Sequence, residues 1–441
     1  MIVLKVCRTS ATIMAMGLLS VALKVAAQEM TLGVELRPRA EYRSGYKSPI
    51  TEEEDPAGFM LQRSRFTVGF KNAYLKSCFT VQDARTFGQS NISSEAMNSA
   101  GALSVYEAWA DVTLMPGASV KIGRQTLVYD DKRLFSDSKW SNTGKSHDAV
   151  VFKYSLSELF DAHLAFAYNN DKAISKETLY SGASTYRYLG FLWLSKPITS
   201  GWLLTAVVLD DAFQGTSVDA SGKEVYGKKV NMYHRYTVGG NLKYQQAGKP
   251  FFLYATSYFQ FGKSASAQDL NAYLLALKMS YKFTPSAELT LGTDYYSGGD
   301  GSDSSKSKTF NWMYGAPHGF NGYMDYWSAS LPVQGLIDMY GQLGGSLNSK
   351  IGYEANFHVF ATAKQLEYGG SKKGRKLGAE LDLKLVYKMN PSVTVEGGWS
   401  SYFLSDNSRY LKLKSADASS RAPGWAYLML TIKPDLIKIK L

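Results

Sequence analysis

The sequence has few cysteines and no long apolar segment outside its N-terminus. Only two of the 441 residues are cysteine, Cys7 and Cys78, so a fold held together by several disulfides is excluded. Beyond the N-terminus there is no run of about 18 consecutive apolar residues, and this rules out a transmembrane helix. Membrane crossing by β-strands stays possible, because a strand of a barrel needs no long apolar run.

The composition nevertheless indicates a folded chain with much aromatic surface. Hydrophobic residues make up 45% of the sequence, aromatic residues 13%, and charged residues only 20%. These values argue against intrinsic disorder. The 30 tyrosines are the most unusual feature. Tyrosine suits surfaces that are apolar on one side and wet at the rim, as at a membrane interface.

Residues 1–27 have the features of a secretory signal peptide. Lys5 and Arg8 form a basic start, and an apolar run covers residues 11–23. Small residues directly before Gln28 form a cleavage site. The sequence therefore predicts an exported chain.

Removal of this segment changes the cysteine count and the charge. Cys7 leaves with it, so Cys78 has no intrachain partner. Of the 49 basic residues three lie in the segment, and the remaining 46 against 38 acidic residues give a net charge of +8. A basic exported protein can meet anionic lipid, acidic polysaccharide or small anions, whereas nucleic acid is not an expected partner. We predict one domain over residues 28–441.

Alternation of apolar and polar residues dominates the chain after the signal segment, as in β-strands. In residues 273–283 every second residue is apolar, and residues 377–387 repeat the pattern. Such runs are about ten residues long, the length that a tilted strand needs to cross a bilayer. We expect lipid contact at Leu275, Leu277, Leu381 and Leu383, and water contact at Lys278, Glu380 and Lys384.

Short and long connections alternate along the chain. Short turns occur at residues 116–117 and 390–391, and long polar loops cover residues 128–147 and 297–334. Tight turns at one end and long loops at the other are typical of outer-membrane barrels. The sequence thus predicts an all-β fold, a transmembrane antiparallel β-barrel of about 18 strands with short periplasmic turns and long extracellular loops.

A secreted β-sandwich or propeller is the alternative fold. Its strands would average five or six residues and its outward faces would be polar. Here the long apolar faces end in Tyr244, Tyr281 and Tyr387, where a barrel places an aromatic girdle. The pattern favours a barrel in the outer membrane of a Gram-negative bacterium, with outer-membrane lipid as a partner.

The polar faces of such strands would line a water-filled lumen, and several carry charges. Arginine binds carboxylates through its planar, forked guanidinium group. We therefore interpret the basic residues as a path for an anionic solute, and a carboxylated one fits arginine best. The alternative is cross-strand Arg–Glu pairing that only stiffens the wall. The candidates for channel lining are Arg37, Arg39, Arg63, Arg65, Arg235, Lys243, Glu35, Glu107 and Asp111.

The order of several short motifs resembles the bacterial alginate-export outer-membrane porins. The motifs are Glu35-Leu36-Arg37-Pro38-Arg39, Arg63-Ser64-Arg65, Gly123-Arg124-Gln125, Tyr314-Gly315-Ala316-Pro317-His318-Gly319-Phe320 and Gly322-Tyr323-Met324-Asp325-Tyr326. This resemblance implies a monomeric 18-stranded barrel with a positively charged constriction that conducts an acidic polyuronate outward. By position it adds Arg85, Arg124 and Arg133 to the lining candidates.

Two features depart from that family pattern. Strict alternation puts Arg124 on the lipid face together with Val120 and Ile122, where an arginine at mid-bilayer would cost about 2–4 kcal/mol. We therefore predict a β-bulge or a rim position for Arg124. The C-terminus does not end in an aromatic residue, because a tail that begins at Pro434 closes at Leu441.

The long segment 297–334 changes character along its length. Its first half is rich in Gly, Ser and Asp and looks like an outer loop, whereas its second half is too apolar to stay in water. We expect the second half to fold into the barrel mouth and narrow it. The candidates for this constriction loop are Phe310, Trp312, Tyr314, His318, Phe320 and Asp325.

The sequence contains no complete motif of a common enzyme class. Gly144-Lys145-Ser146 lacks the leading glycine of a phosphate loop, and residues 298–303 match one copy of a calcium-binding repeat that works only by stacking. The histidines show no zinc-ligand spacing. The sequence predicts no enzyme and no cofactor. The alternative function is a secreted or outer-membrane polysaccharide-binding protein or hydrolase.

Overall fold

The computed structural model describes most of the chain after residue 27. The predicted signal peptide lies outside the described residues. Within the described part, no helix is long and apolar enough to cross a membrane. The described residues are 28–89, 102–175, 177, 180, 186–215, 217–218, 224–225, 231–284, 286–328, 330–434 and 437–440.

Eighteen long strands form the body of the protein, and the alternating segments of the sequence become these strands. They are β1 (Glu29–Ser44), β2 (Ala57–Lys71), β3 (Leu75–Thr86), β4 (Ala102–Met115), β5 (Ala118–Gln125), β6 (His147–Leu156), β7 (Phe160–Tyr168), β8 (Tyr188–Thr199), β9 (Trp202–Gly215), β10 (Asn231–Gln245), β11 (Phe251–Lys263), β12 (Asp269–Thr284), β13 (Ala287–Tyr296), β14 (Leu336–Ser346), β15 (Ile351–Ala361), β16 (Lys376–Asn390), β17 (Val393–Leu404) and β18 (Gly424–Ile432).

The sheet closes into a barrel. Each strand pairs antiparallel with the next, and β18 pairs back with β1, where Arg43 lies opposite Trp425. The C-terminal tail continues this seam, because β19 (Ile437–Lys440) pairs with the first residues of β1. Closure satisfies the backbone hydrogen bonds of both edges, which an open sheet in lipid could not do. The predicted strand count and fold class are confirmed.

The two ends of the barrel differ as predicted. The start of β1, the end of β19 and the short turns lie at one end, which is the periplasmic end of such barrels. The other end carries the long loops, apart from the five-residue connection 264–268. Two-residue strands form small hairpins or bridges in some of these loops, at Ser217–Val218, Glu224–Val225, Lys306–Ser307, Glu367–Tyr368 and Ser371–Lys372.

The outward faces are apolar and bounded by aromatic rings. Leu275, Leu291 and Leu383 are among the large exposed side chains of these faces. At the periplasmic end, the rings of Trp202 and Tyr244 lie 4.9 Å apart. At the opposite end, Tyr236 and Phe261 stack 5.2 Å apart. An apolar band between two aromatic belts fits the bilayer core and its two interfaces.

One regular helix lies in the last long loop. Helix α1 (Asp406–Leu413) begins at a capping box in which the Ser405 hydroxyl accepts the Ser408 backbone N–H. Its Lys412 Nζ donates to the Tyr326 carbonyl at 2.5 Å, so the helix is fastened to the end of segment 297–335. A single 3₁₀ turn, Pro317–Gly319, lies within that segment.

Two long loops fold into the barrel and meet there. We call residues 126–146 loop A and residues 297–335 loop B. An isolated β-bridge joins Phe135 of loop A to Tyr314 of loop B. Eighteen strands enclose more space than wall side chains can fill, so the two loops occupy much of the lumen.

The lumen face of β16 differs from the prediction at one position. Lys384 faces the lumen, in the cavity described below. Glu380 shares that face but is fully buried, because its carboxylate accepts the Met324 backbone N–H of loop B at 2.6 Å. The water contact predicted for Glu380 is therefore wrong. Period-two patterning assigns a residue to a face but does not show what covers that face.

The strand register predicts which positions react with a water-soluble probe. With Cys78 replaced by serine, Lys278→Cys should be modified by a membrane-impermeant thiol reagent, because Lys278 lines a cavity inside the barrel. Leu275→Cys should be protected by lipid, because Leu275 lies on the outward face. Labelling of reconstituted protein, read by mass spectrometry, gives both rates. The reverse pattern would mean a register shifted by one residue.

Candidate functional site

Four arginines form a compact patch on the lumen side of β1 and β2. Arg37 and Arg39 lie on β1, and Arg63 and Arg65 lie on β2. Arg37 pairs directly with Arg63 in the sheet, and Glu35 pairs with Arg65. Alternation brings all four side chains to one face. We call these residues the arginine cluster.

The guanidinium groups of the cluster bind the backbone of loop A. Arg37 donates to the carbonyl oxygens of Lys139 and Ser141 at 2.5 and 2.9 Å. Arg63 reaches the same two carbonyls at 3.3 and 3.1 Å. Further along, the carbonyl oxygen of Thr143 accepts from Arg65. Arginine suits this task because one planar group carries five donors.

Two acids neutralise only part of the cluster. Glu35 accepts two hydrogen bonds from Arg63, at 2.6 and 2.9 Å. Glu41 is shared between Arg39, at 2.8 Å, and Arg43. The five arginines of this wall thus face two carboxylates, a formal excess of +3. Arg–Glu pairing, one of the two interpretations of these residues, therefore occurs, and a formal positive charge remains on the wall.

Loops A and B are hydrogen-bonded to each other across the lumen. The Tyr314 N–H donates to the Leu134 carbonyl, and the Ser136 N–H donates to the Tyr314 carbonyl, both at 3.1 Å. Lys145 Nζ adds a 2.6 Å hydrogen bond to the Gly315 carbonyl. Because loop A is also bound to the arginine cluster, the two loops and the β1–β2 wall form one connected unit.

An aromatic contact joins the tips of the two loops. The rings of Trp140 and His318 stack with centroids 4.4 Å apart and planes 13° from parallel. The Arg39 guanidinium lies over the Trp140 ring, 3.8 Å from the ring centroid. The His318 imidazole contacts Asp325 at 3.1 Å, and Asp325 also accepts a hydrogen bond from Tyr46. We call this Trp140–His318 contact the latch.

The carboxylate behind the latch stays ionised. Burial alone would raise the pKa of Asp325, but His318 and the Tyr46 hydroxyl stabilise its charged form. The net effect is a pKa below the ordinary value. Asp325 therefore remains a hydrogen-bond acceptor for His318 and Tyr46 throughout the neutral pH range.

The loops and the wall enclose a central cavity of about 530 Å³. Six basic residues and three acidic residues line the cavity, and five aromatic rings line it as well. The basic residues are Arg39, Arg43, Lys47, Lys132, Lys139 and Lys384; the acids are Asp137, Asp325 and Glu396; the rings are Tyr46, Trp140, His318, Tyr323 and Tyr427.

A smaller inner cavity of about 200 Å³ lies on the other side of loop B. Residues 319–324, which we call the strap, separate the two cavities, and Gly319 and Tyr323 line both. Acidic and basic residues are mixed in this second cavity, which includes Lys278 and Glu354. Unlike the central cavity, it has no excess of basic over acidic side chains.

The structure places two of the predicted lining residues outside the lumen. Arg124 is the next-to-last residue of β5 and lies on the outward face. It forms a bidentate ion pair with Asp148 at 2.7 and 2.9 Å. Arg85 lies near the loop end of β3 and pairs with Asp83 at 2.6 Å on the same outward face. Neither lines the channel. The rim position expected for Arg124 is what the structure shows, with its charge paired.

Two other predicted lining residues lie inside the barrel but are enclosed. Arg133 of loop A donates to Asp294 at 2.7 and 2.9 Å. Burial alone would lower the pKa of Arg133, but the Asp294 carboxylate outweighs this effect, and the pKa lies well above its ordinary value. Arg235 on β10 pairs with Asp211 beneath Tyr314. Both are almost fully buried, so they hold the loops in place rather than face a free path.

The remaining wall candidates lie on the inward faces of their strands. Lys243 shares the inward face of β10 with the buried Asn241, near the periplasmic end. Asp111 forms a 2.7 Å ion pair with Lys153 of β6. Glu107 lies where loop A begins, and it accepts hydrogen bonds from the Trp109 indole at 3.1 Å and from the Thr126 hydroxyl at 3.4 Å.

Every proposed member of the constriction loop lies inside the barrel. Phe310 and Trp312 pack against Tyr296 of the wall. Phe320 lies beneath the Arg133 guanidinium at 4.2 Å. Tyr314, His318 and Asp325 make the contacts described above.

Sequence reasoning missed loop A. Its polar composition, with residues such as Ser138, Ser141 and Asn142, resembles that of an ordinary outer loop. The inward fold depends on backbone carbonyls, which leave no trace in side-chain identity. The available signals were its apolar residues, Leu127, Leu134, Phe135 and Trp140 among them.

Within the described ranges, no group of three or more His, Cys, Asp and Glu residues is arranged to hold a metal ion. What the side chains do form is a narrowed, charged passage through a closed barrel with an apolar belt. This fold and this site define an outer-membrane channel of the porin class.

Comparison with known proteins gives the family. The model of the alginate export family matches residues 28–334, and the chain belongs to this family. No curated protein sequence matches the chain. Family and fold are those of outer-membrane porin channels, which are not enzymes.

Solved structures with the same fold are outer-membrane channels of two bacteria. Acinetobacter baumannii OccAB4 has a TM-score of 0.58 and 12% identity over 94% of this chain and 99% of its own. Pseudomonas aeruginosa OccK11 (OpdR) has a TM-score of 0.56 and 11% identity over 92% and 95%. A structure of Pseudomonas aeruginosa OpdK with vanillate has a TM-score of 0.57 and 11% identity over 93% and 99%.

The arginine cluster predicts how loop A responds to loss of one anchor. Arg37→Met removes hydrogen bonds to the loop A carbonyls, and each such bond to a charged group contributes about 1.5–3 kcal/mol. Amides of residues 138–143 should then exchange with deuterium roughly ten- to a hundredfold faster, while the barrel stays folded. Arg124→Met, which removes an outward-facing guanidinium, is the matched control. Equal exchange in both variants would show that the cluster does not hold loop A.

Proposed function

We propose that the protein conducts anionic, carboxylated saccharides of the uronate type through its lumen. The observation that carries this proposal is the central cavity, where six basic residues face three acids. A positive field in a water-filled constriction concentrates anions and repels cations within a Debye length of about 8 Å at physiological salt.

The rings of the cavity support a saccharide rather than a bare anion. Tyr46, Tyr323 and Tyr427 line the same space as Arg39 and Lys384. The C–H face of a sugar ring packs on aromatic surfaces, and the carboxylate of a uronate accepts forked hydrogen bonds from arginine. A row of such partial contacts binds each sugar unit weakly, so that each unit can leave again.

We also propose that the chain is exported and that one copy of it forms the channel. Removal of residues 1–27 would release a mature chain that begins at Gln28, one residue before β1. One chain suffices for a pathway, because β18 pairs with β1 and both inward loops come from the same chain. We therefore propose that the channel acts as a monomer.

Ion selectivity is the first test. Lys47→Glu with Lys139→Glu changes the formal charge of the cavity from +3 to −1, and both changes leave the backbone hydrogen bonds of these residues to Met324, Arg37 and Arg63 in place. The reversal potential of the intact channel under a KCl gradient should show anion preference, and the double variant should shift it toward cations. Lys172→Glu with Lys372→Glu makes the same charge change on exposed loop positions outside both cavities.

The outcome separates the alternatives cleanly. Cation selectivity of the unmodified protein would overturn the anion pathway. A shift of equal size in the control variant would mean that surface charge, not the cavity, sets selectivity.

Block of single-channel current tests the class of solute. Uronate oligomers should interrupt the current at lower concentration than neutral oligosaccharides of the same length, because only the former meet the basic residues. The Lys47→Glu, Lys139→Glu variant should lose most of this difference. Equal block by both oligomers in the unmodified channel would argue against a carboxylated solute.

A further inference from the structure

The strap lies on a group of buried polar atoms that lack hydrogen-bond partners. Among the described residues, twelve buried side-chain nitrogen and oxygen atoms have no partner, and six of them belong to one neighbourhood. These six are Asn321 Nδ2 and Oδ1, Asn356 Oδ1, Glu380 Oε2, Asp382 Oδ1 and Ser400 Oγ. A buried polar atom without a partner is costly, so such a concentration calls for a bound partner.

Sheet register brings the wall members of this group together. Asp382 on β16 lies directly opposite Asn356 on β15 and Ser400 on β17. Glu380 lies two residues before Asp382, on the same face. The three strands therefore present two carboxylates, one amide oxygen and one hydroxyl within adjacent positions of one wall.

The strap completes the group from the lumen side. Met324 N–H donates to Glu380 Oε1 at 2.6 Å, which leaves the other carboxylate oxygen unpartnered. Gly322 has a φ of +80°, and a Cβ at this position would lie 2.5 Å from the Glu380 carboxylate. Only glycine lets the backbone approach so closely. Asn321, only 1% exposed, precedes it.

The charges of the neighbourhood do not balance. Asp338, Glu380 and Asp382 are all fully buried. The facing cation is His358, whose Nδ1 bonds Asp338 at 2.9 Å and whose Nε2 lies 3.9 Å from Asp382. The nearby Asp325 is paired with His318, and Arg133 is paired with Asp294. When all three carboxylates are ionised and His358 is protonated, the neighbourhood carries a formal charge of −2, which a bound cation would offset.

We propose that Glu380, Asp382, Ser400 and Asn356 of the wall, together with Asn321 of the strap, form a calcium site that fastens the strap to the barrel. Carboxylate, amide and hydroxyl oxygens are ligands of hard cations, and Ca²⁺ accepts six to eight of them in irregular geometry with water. Its two positive charges match the excess. Mg²⁺ demands near-ideal octahedral geometry and keeps its waters, so it fits this set less well.

The site would act on the passage between the two cavities. The strap separates them, so a cation that fixes the strap to β16 and β17 also fixes the width of the constriction. Extracellular calcium modules bind with dissociation constants of about 10⁻⁴–10⁻³ M, and the site would be filled by calcium at such concentrations.

Hydrogen exchange of the full-length protein in detergent tests calcium binding directly. Free Ca²⁺ is buffered from about 10 μM to 10 mM, and peptides that cover residues 319–328 are followed. If these amides exchange through opening of the strap, exchange should slow about tenfold once free Ca²⁺ reaches ten times its dissociation constant. Mg²⁺ at equal concentration should give little protection.

Two matched variants locate the effect. Glu380→Gln with Asp382→Asn should abolish the calcium response of the strap. Asp300→Asn with Asp303→Asn makes the same charge change in the exposed glycine-rich half of loop B and should keep the response. Heat-modifiable gel migration reports whether each barrel is folded, and the calcium titration of the unmodified protein decides the matter even if the first variant fails to fold.

Several results would overturn the calcium site. Exchange in the unmodified protein that is indifferent to Ca²⁺ but changes with pH would mean that the two carboxylates share a proton. Equal protection by Mg²⁺ would remove the selectivity, and loss of the response only in the Asp300, Asp303 variant would move the site to the outer half of loop B. These readouts measure binding and are independent of ion selectivity.

Discussion

The architecture depends on one constraint: polar groups placed inside a wide barrel must find partners there. Eighteen strands enclose a lumen that side chains of the wall cannot fill. Loops A and B enter this space and bring backbone carbonyls and N–H groups away from bulk water. The arginine cluster supplies donors for loop A, and Glu380 accepts from loop B. Without these wall groups, neither loop could remain inside.

The same constraint links structure to conduction. Because Arg37 donates to carbonyl oxygens of loop A, which carry no full charge, it retains a positive field after the loop is bound, whereas Arg63 is also paired with Glu35. A loop anchored through acidic side chains would have cancelled that field. The protein thus uses its arginines twice, to hold a constriction and to make it basic. The side chains of Lys47 and Lys139 add further positive charge to the cavity.

Much of the fold could be predicted from the sequence, because barrel strands carry a local signal. Alternation marks both faces of β12 and β16, and loop length marks the two ends. The site was predicted only in part. Glu35, Arg37, Arg39, Arg63 and Arg65 share a face by alternation alone. Their carbonyl partners in loop A are non-local and involve backbone atoms, so no residue pattern reveals them.

The errors have the same origin. Arg85 and Arg124 look like lining residues when matched by motif order, yet strand parity puts both on the outward face, where Asp83 and Asp148 pair with them. Arg235 has the right parity but lies beneath Tyr314. Strand parity predicts whether a side chain points into the barrel or away from it. Which inward positions stay open to solvent depends on where the loops come to rest, and that follows from contacts between residues more than 100 positions apart.

The central claim is that the inward loops, and not the barrel wall, limit the passage. Single-channel conductance of a chain that lacks residues 309–327 tests it most directly, with heat-modifiable migration as the check that the barrel closes. The account predicts a conductance several times that of the intact protein and a weaker dependence on the sign of the permeating ion. A folded barrel whose conductance and selectivity equal those of the intact protein would contradict it.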